Sequence, residues 1–160
     1  MATELLFGIQ TNGIKHAHAD PMPDIDTRFA MVREAGVFDY VDKTPDPEQI
    51  GDFIQARDKY GIPVRAGGWF YTLGRDEALL EKNLRTGREL GSLVHNTQIL
   101  NRHAAGHVVT DDEVVEAYLR AAELGERYGC TPCFEVHVNM WSEDFPRVAR
   151  IGDRVEALGA

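Results

Sequence analysis

Three polar residues recur at every second position in the run CFEVHVNMWSEDF at 133–145: Glu135, His137 and Asn139. Alternate side chains of an extended chain share a face, so these three would point one way and Val136, Val138 and Met140 the other. The valines would then pack under helices, and the polar row would look into a barrel lumen or onto an open face. A carboxylate and an imidazole so placed suit ligation of a divalent metal or general acid–base transfer of a proton. An edge strand with one solvated face accounts for the same alternation.

Other groups have chemistry of their own. Cys130-Thr-Pro-Cys133 matches C-x-x-C. A redox role wants the first thiol at a helix N-terminus, where the dipole favours thiolate, but here a helix precedes the motif and a strand follows. A zinc centre wants two more ligands at suitable spacing, and the sequence has no second cysteine pair. Two half-buried thiols at a strand start is the plainer reading. His16 and His18 in KHAHAD form an H-x-H pair that suits either a metal or a solvated loop. His103 and His107 in NRHAAGH pose the same choice, with His103 better placed for a ligand. Gly67-Gly68 belongs to no G-x-G-x-x-G or Walker pattern. The following Trp69, Phe70 and Tyr71 read as an apolar wall beside a small polar ligand, or as core.

The elements that must position these groups follow one repeated unit: a helical segment ending in glycine, then a short apolar run. Gly36, Gly61, Gly91 and Gly129 mark the helix ends. Asp46-Pro47-Glu48, Thr110-Asp111-Asp112-Glu113 and Ser142-Glu143-Asp144 mark helix starts, the second as a capping box and the third with Pro146 early enough for a first turn. Apolar spacing between the caps is helical, as in Val114, Val115, Tyr118, Leu119 and Ala122. The reading is strand 5–11, helix 26–35, strand 37–42, helix 47–60, strand 62–67, helix 76–90, strand 93–100, helix 111–128, strand 133–139 and helix 143–158.

Strict alternation of this kind predicts an α/β chain with a parallel sheet and helices outside it. A doubly wound open sheet and a TIM barrel both satisfy it, and both place ligands at the carboxyl ends of the strands. Gln10 and Asn12 stand there on strand one, and Asp42 and Lys43 on strand two. Strand three leads into Trp69 and strand four into Gln98, Asn101 and His103. Strand five ends in Glu135, His137 and Asn139. About five (β/α) units do not close an eight-stranded barrel, so residues 1–160 read as a single domain that is a partial barrel or an open sheet.

The 160 residues suffice for one core, with 43% hydrophobic and 27% charged residues. A net charge of −9 disfavours nucleic acid as a partner, although it leaves room for a small anion held by local donors. The N-terminal residues show no signal peptide, and no apolar run is long enough to span a membrane. A cytoplasmic location is the expectation.

FGIQTNG at 7–13, GGWF at 67–70 and above all CFEVHVNMWSEDF resemble the xylose-isomerase-like TIM barrels, a group of sugar and sugar-phosphate isomerases and epimerases related to endonuclease IV. The resemblance runs over all 160 residues, matched to the first five units. It implies that Glu135, at the end of strand five, ligates a divalent metal (Mn, Mg, Co or Zn) and belongs to the proton-transfer machinery with His137. Gln10, Asn12, Trp69, Asn101, His103 and Asn139 would bind a small sugar or sugar-phosphate substrate. The metal would polarise a carbonyl or hydroxyl while a carboxylate moves the proton. The family's other ligands come from strands six to eight, which the five units do not reach. The alternative is a non-catalytic half-barrel that associates with itself or another chain through exposed sheet edges.

Overall fold

Four of the helices close where their glycines predict. The computed structural model describes residues 5–11, 14, 22–44, 46–65 and 67–159. Gly36, Gly61, Gly91 and Gly129 each form a left-handed C-cap. These close α1 (Ile25–Ala35), α2 (Ile50–Tyr60), α3 (Glu77–Leu90) and α4 (Asp111–Tyr128). The start of α4 is the predicted capping box: Thr110 Oγ1 accepts from the Glu113 N–H while the Glu113 carboxylate accepts from the Thr110 N–H. The last helix, α5 (Phe145–Ala157), starts two residues later than expected. Asp144 caps it by accepting from the Arg147 N–H, and Pro146 sits in the first turn. The helix expected over 47–60 opens as a short 3-10 turn at Pro47–Gln49.

The strands are β1 (Gly8–Gln10), β2 (Tyr40–Asp42), β3 (Val64–Arg65), β4 (Gly68–Tyr71), β5 (Val94–Ile99) and β6 (Thr131–Phe134). They form two parallel sheets, β1-β2-β3 and β4-β5-β6. The single strand expected over 62–67 is therefore two short ones. Gly67 makes the break. It takes φ of 120°, and its carbonyl accepts from the Asn96 N–H at 2.7 Å. A Cβ there would lie 2.5 Å from Thr44 Oγ1, so a larger residue has neither the conformation nor the space.

The helix-facing sides of the strands build the core. Val41, Val64, Phe29, Phe53 and Leu90 form one buried cluster, and Tyr71, Leu84, Ile99, Val114, Leu124 and Ile151 belong to another. A polar chain crosses the second cluster. Asn83 Nδ2 donates to Tyr71 Oη at 2.8 Å, and that hydroxyl is hydrogen-bonded to His95 Nε2 at 2.7 Å. Burial lowers the His95 imidazole to about 4, which matches a neutral ring accepting from tyrosine.

The expectation of a strand over 133–139 is corrected by the structure. Pairing of β6 with β5 stops at Phe134. Beyond it the chain turns to bring Trp141 into the core, 2% exposed, where it packs edge-on to Phe134 with ring centres 5.5 Å apart. Ser142 Oγ ties the turn by donating to the Glu135 carbonyl at 2.7 Å and accepting from the His137 N–H at 3.3 Å. Asn139 takes φ of 64°, and its N–H donates to the Glu143 carboxylate at 2.7 Å. Val136 and Val138 do not pack under helices; both are exposed. The period-two pattern here is a loop with a turn asparagine, because the anchoring of Trp141 and Ser142 prevails over strand propensity.

Candidate functional site at the carboxyl ends of the strands

Register decides which side chains meet. Gly68 pairs with Asn96, Phe70 with Gln98, and Asn96 with Cys133. These residues share one face, while His95, Thr97 and Ile99 of β5 are buried on the other. In the other sheet Gln10 pairs with Asp42. The two sets open onto a polar cavity of about 260 Å³ lined by Gln10, Thr11, Asp42, Gln98, Glu135 and His137 among others, with Trp69 and Phe70 as an aromatic side. Phe70 meets the His137 ring edge-on, centres 5.7 Å apart.

Gln98 is the pivot of this cavity. Its Nε2 donates to Glu135 Oε2. Its Oε1 is buried and, among the described residues, has no hydrogen-bond partner, as is also true of Thr11 Oγ1. The amide cannot reverse without setting its oxygen against a carboxylate oxygen, so Oε1 is held as an acceptor. Asp42 accepts from the Gln10 side chain and the Gly67 N–H, which lower its pKa. Burial outweighs them and pushes the carboxyl up, and the charge of Glu135 adds to the rise. His137 Nδ1 lies 2.8 Å from the Val138 carbonyl, an acceptor only, so Nδ1 carries the proton and Nε2 is the acceptor of the neutral ring.

Of the residues singled out from sequence, Gln10, Asp42, Lys43, Trp69, Gln98, Glu135 and His137 line this cavity. Asn101 and Asn139 do not, and both are exposed. His103 stacks on His107, centres 4.6 Å apart, and borders a larger and more apolar cavity of about 460 Å³ between α3, α4 and the sheet. His107 is paired with Glu113 at 2.7 Å. Asn12, His16 and His18 lie outside the described residues. The thiol of Cys130 is buried and pushed up to about 11, and burial raises Cys133 too, the opposite of what a nucleophilic thiol requires.

Thr11 and Asn96 are cavity residues not singled out by the motifs. Period two along β5 carried the signal for Asn96, since Asn96 and Gln98 alternate with the buried His95, Thr97 and Ile99.

The donor set does not by itself make a metal centre. Among the described residues no three His, Cys, Asp or Glu side chains converge as ligands, and one Glu135 oxygen is engaged by the Gln98 amide. A stable site takes more protein donors than Glu135 provides.

The architecture, parallel strands alternating with helices, is that of part of a TIM barrel. No protein-family model and no curated protein matches the chain. Among solved structures, it is similar to a D-allulose 3-epimerase from Methylomonas sp., with a TM-score of 0.67 and 17% identity, covering 95% of this chain and 59% of that one. A 3-keto-D-glucoside 4-epimerase from E. coli gives a TM-score of 0.66 at 14% identity, covering 96% of this chain and 65% of the other. An AP endonuclease of family 2 from Brucella melitensis gives 0.62 at 12% identity, covering 91% and 63%. A sugar phosphate isomerase/epimerase from Parabacteroides distasonis gives 0.54 at 12%, covering 80% and 50%. The chain thus spans between 50% and 65% of the length of these structures. No helix among the described residues is long and apolar enough to cross a membrane.

Proposed function

We propose that this chain forms the substrate-facing wall of a sugar isomerase or epimerase, with Glu135 as the group that moves the proton. The observation that carries this reading is the convergence of Glu135, Gln98, Asp42, Gln10 and His137 on one cavity at the carboxyl ends of parallel strands, beside Trp69 and Phe70. Two solved structures of similar fold are epimerases named for D-allulose and 3-keto-D-glucoside, which supports a sugar as the ligand class.

Isomerisation or epimerisation next to a carbonyl requires removal of a proton from carbon and its return at another position or face. Glu135 is half-buried, and Gln98 Nε2 fixes its orientation. That constraint leaves the second carboxylate oxygen to accept a proton. His137 Nε2 and the Asp42 carboxyl are placed to hold substrate hydroxyl groups, and the rings of Trp69 and Phe70 would cover the apolar side of a sugar. A divalent ion at Glu135 would need donors from outside the described residues, and no step is assigned to one.

The test is turnover of a panel of ketoses and aldoses, with products separated by chromatography. Conversion of at least one pair is expected, and Glu135→Gln should slow it by about 100-fold or more. Conversion untouched by that substitution would remove Glu135 from the chemistry.

A second reading, self-association of a half-barrel, is favoured by a separate observation. Among the described residues β1 pairs only with β2 and β6 only with β5, so each sheet presents an unpaired edge. Association in solution separates the two readings.

A further inference from the structure

The geometry points to an unphosphorylated polyol, rather than a phosphate ester, as the ligand of the polar cavity. This inference rests on the sugar reading above and narrows it. Two features of the lining carry it.

The first is what the buried groups lack. Thr11 is 1% exposed and Gln98 8%, both line the cavity, and Thr11 Oγ1 and Gln98 Oε1 have no partner among the described residues. A buried acceptor without a donor costs free energy comparable to a lost hydrogen bond. Gln98 Oε1 can only accept, because its amide nitrogen is committed to Glu135. The ligand that completes the site must therefore donate. A hydroxyl donates and accepts, whereas a phosphate dianion only accepts, so the place facing Gln98 Oε1 takes a hydroxyl and not a phosphate group.

The second is charge. The described lining holds two carboxylates, Asp42 and Glu135, against one lysine, Lys43. No arginine is among its described residues, and a guanidinium is the usual side chain for holding a phosphate. A dianion would enter a cavity where the two existing negative charges already oppose each other. Neutral hydroxyl groups meet no such penalty, and both carboxylates accept hydrogen bonds from them.

Binding of D-fructose and D-fructose 6-phosphate to the full chain by calorimetry tests the inference. D-Fructose should bind about tenfold or more tightly than its phosphate ester. Gln98→Leu and Thr11→Val should each weaken D-fructose by about tenfold, with circular dichroism confirming that the variants fold. Asp42→Asn removes one negative charge and should narrow the gap between the two ligands. Equal or tighter binding of the ester overturns the inference and leaves the sugar reading in place. A gap unchanged in Asp42→Asn also overturns it, since charge would then not set the preference. Absence of binding by both ligands overturns the sugar reading and this inference with it.

Discussion

At the scale of single residues, one amide organises the cavity. Gln98 Nε2 donates to Glu135 and its buried Oε1 is left as an acceptor, so in the proposed function this one side chain would couple the proton-moving group to the sugar. His95 lies on the opposite face of the same strand and shows how that face is kept neutral. Its folded pKa of about 4 lies below the value near 6.5 of an unfolded histidine. Between those two values the unfolded chain holds more protons, so stability is fully present above about pH 6.5 and falls as pH drops toward about 4. The group should account for a loss on the order of 3 kcal/mol across that window. Urea unfolding at several pH values checks it: His95→Gln should flatten the slope between about pH 6.5 and 4, whereas an unchanged slope would show that His95 is not the group responsible. The motifs made Glu135 and His137 legible in the sequence. They could not separate these two from Asn139, because the same alternation fits a strand and an anchored loop.

At the scale of elements, the segment after β6 holds the site together. Glu135 and His137 reach the cavity because Trp141 is packed into the core and Ser142 bonds both the Glu135 carbonyl and the His137 N–H. Trp141→Ala should cost about 3–5 kcal/mol of stability by thermal or denaturant unfolding. Ser142→Ala should cost about 1 kcal/mol, yet weaken ligand binding as the loop loosens. Stability loss without any effect on binding in Ser142→Ala would show that the loop does not position the site. Helices were the most legible elements: glycine caps, the Thr110 capping box and apolar stripes are local signals, and α4 begins and ends where they place it. Strand ends were less so, because they depend on tertiary pairing. Gly67 divides one expected strand, and Phe134 ends another five residues early.

At the scale of the whole molecule, the parallel order and the site at the carboxyl ends of the strands were legible from the alternation alone. Convergence of residues distant in sequence was not, because contacts such as Gln98 with Glu135 are set by register across the sheet. The unpaired outer edges of β1 and β6 bear on the second reading. If association completes the fold, sedimentation at micromolar concentration should show a dimer or larger species; a clean monomer would count against an obligate assembly.

The central claim, proton removal from a sugar carbon by Glu135, is tested most directly by solvent exchange. D-Fructose incubated with the chain in deuterium oxide should gain deuterium at a carbon next to the carbonyl, seen by NMR, and Glu135→Gln should abolish the gain. Exchange that continues in Glu135→Gln, or no exchange by a wild-type chain that binds the sugar, would contradict the account.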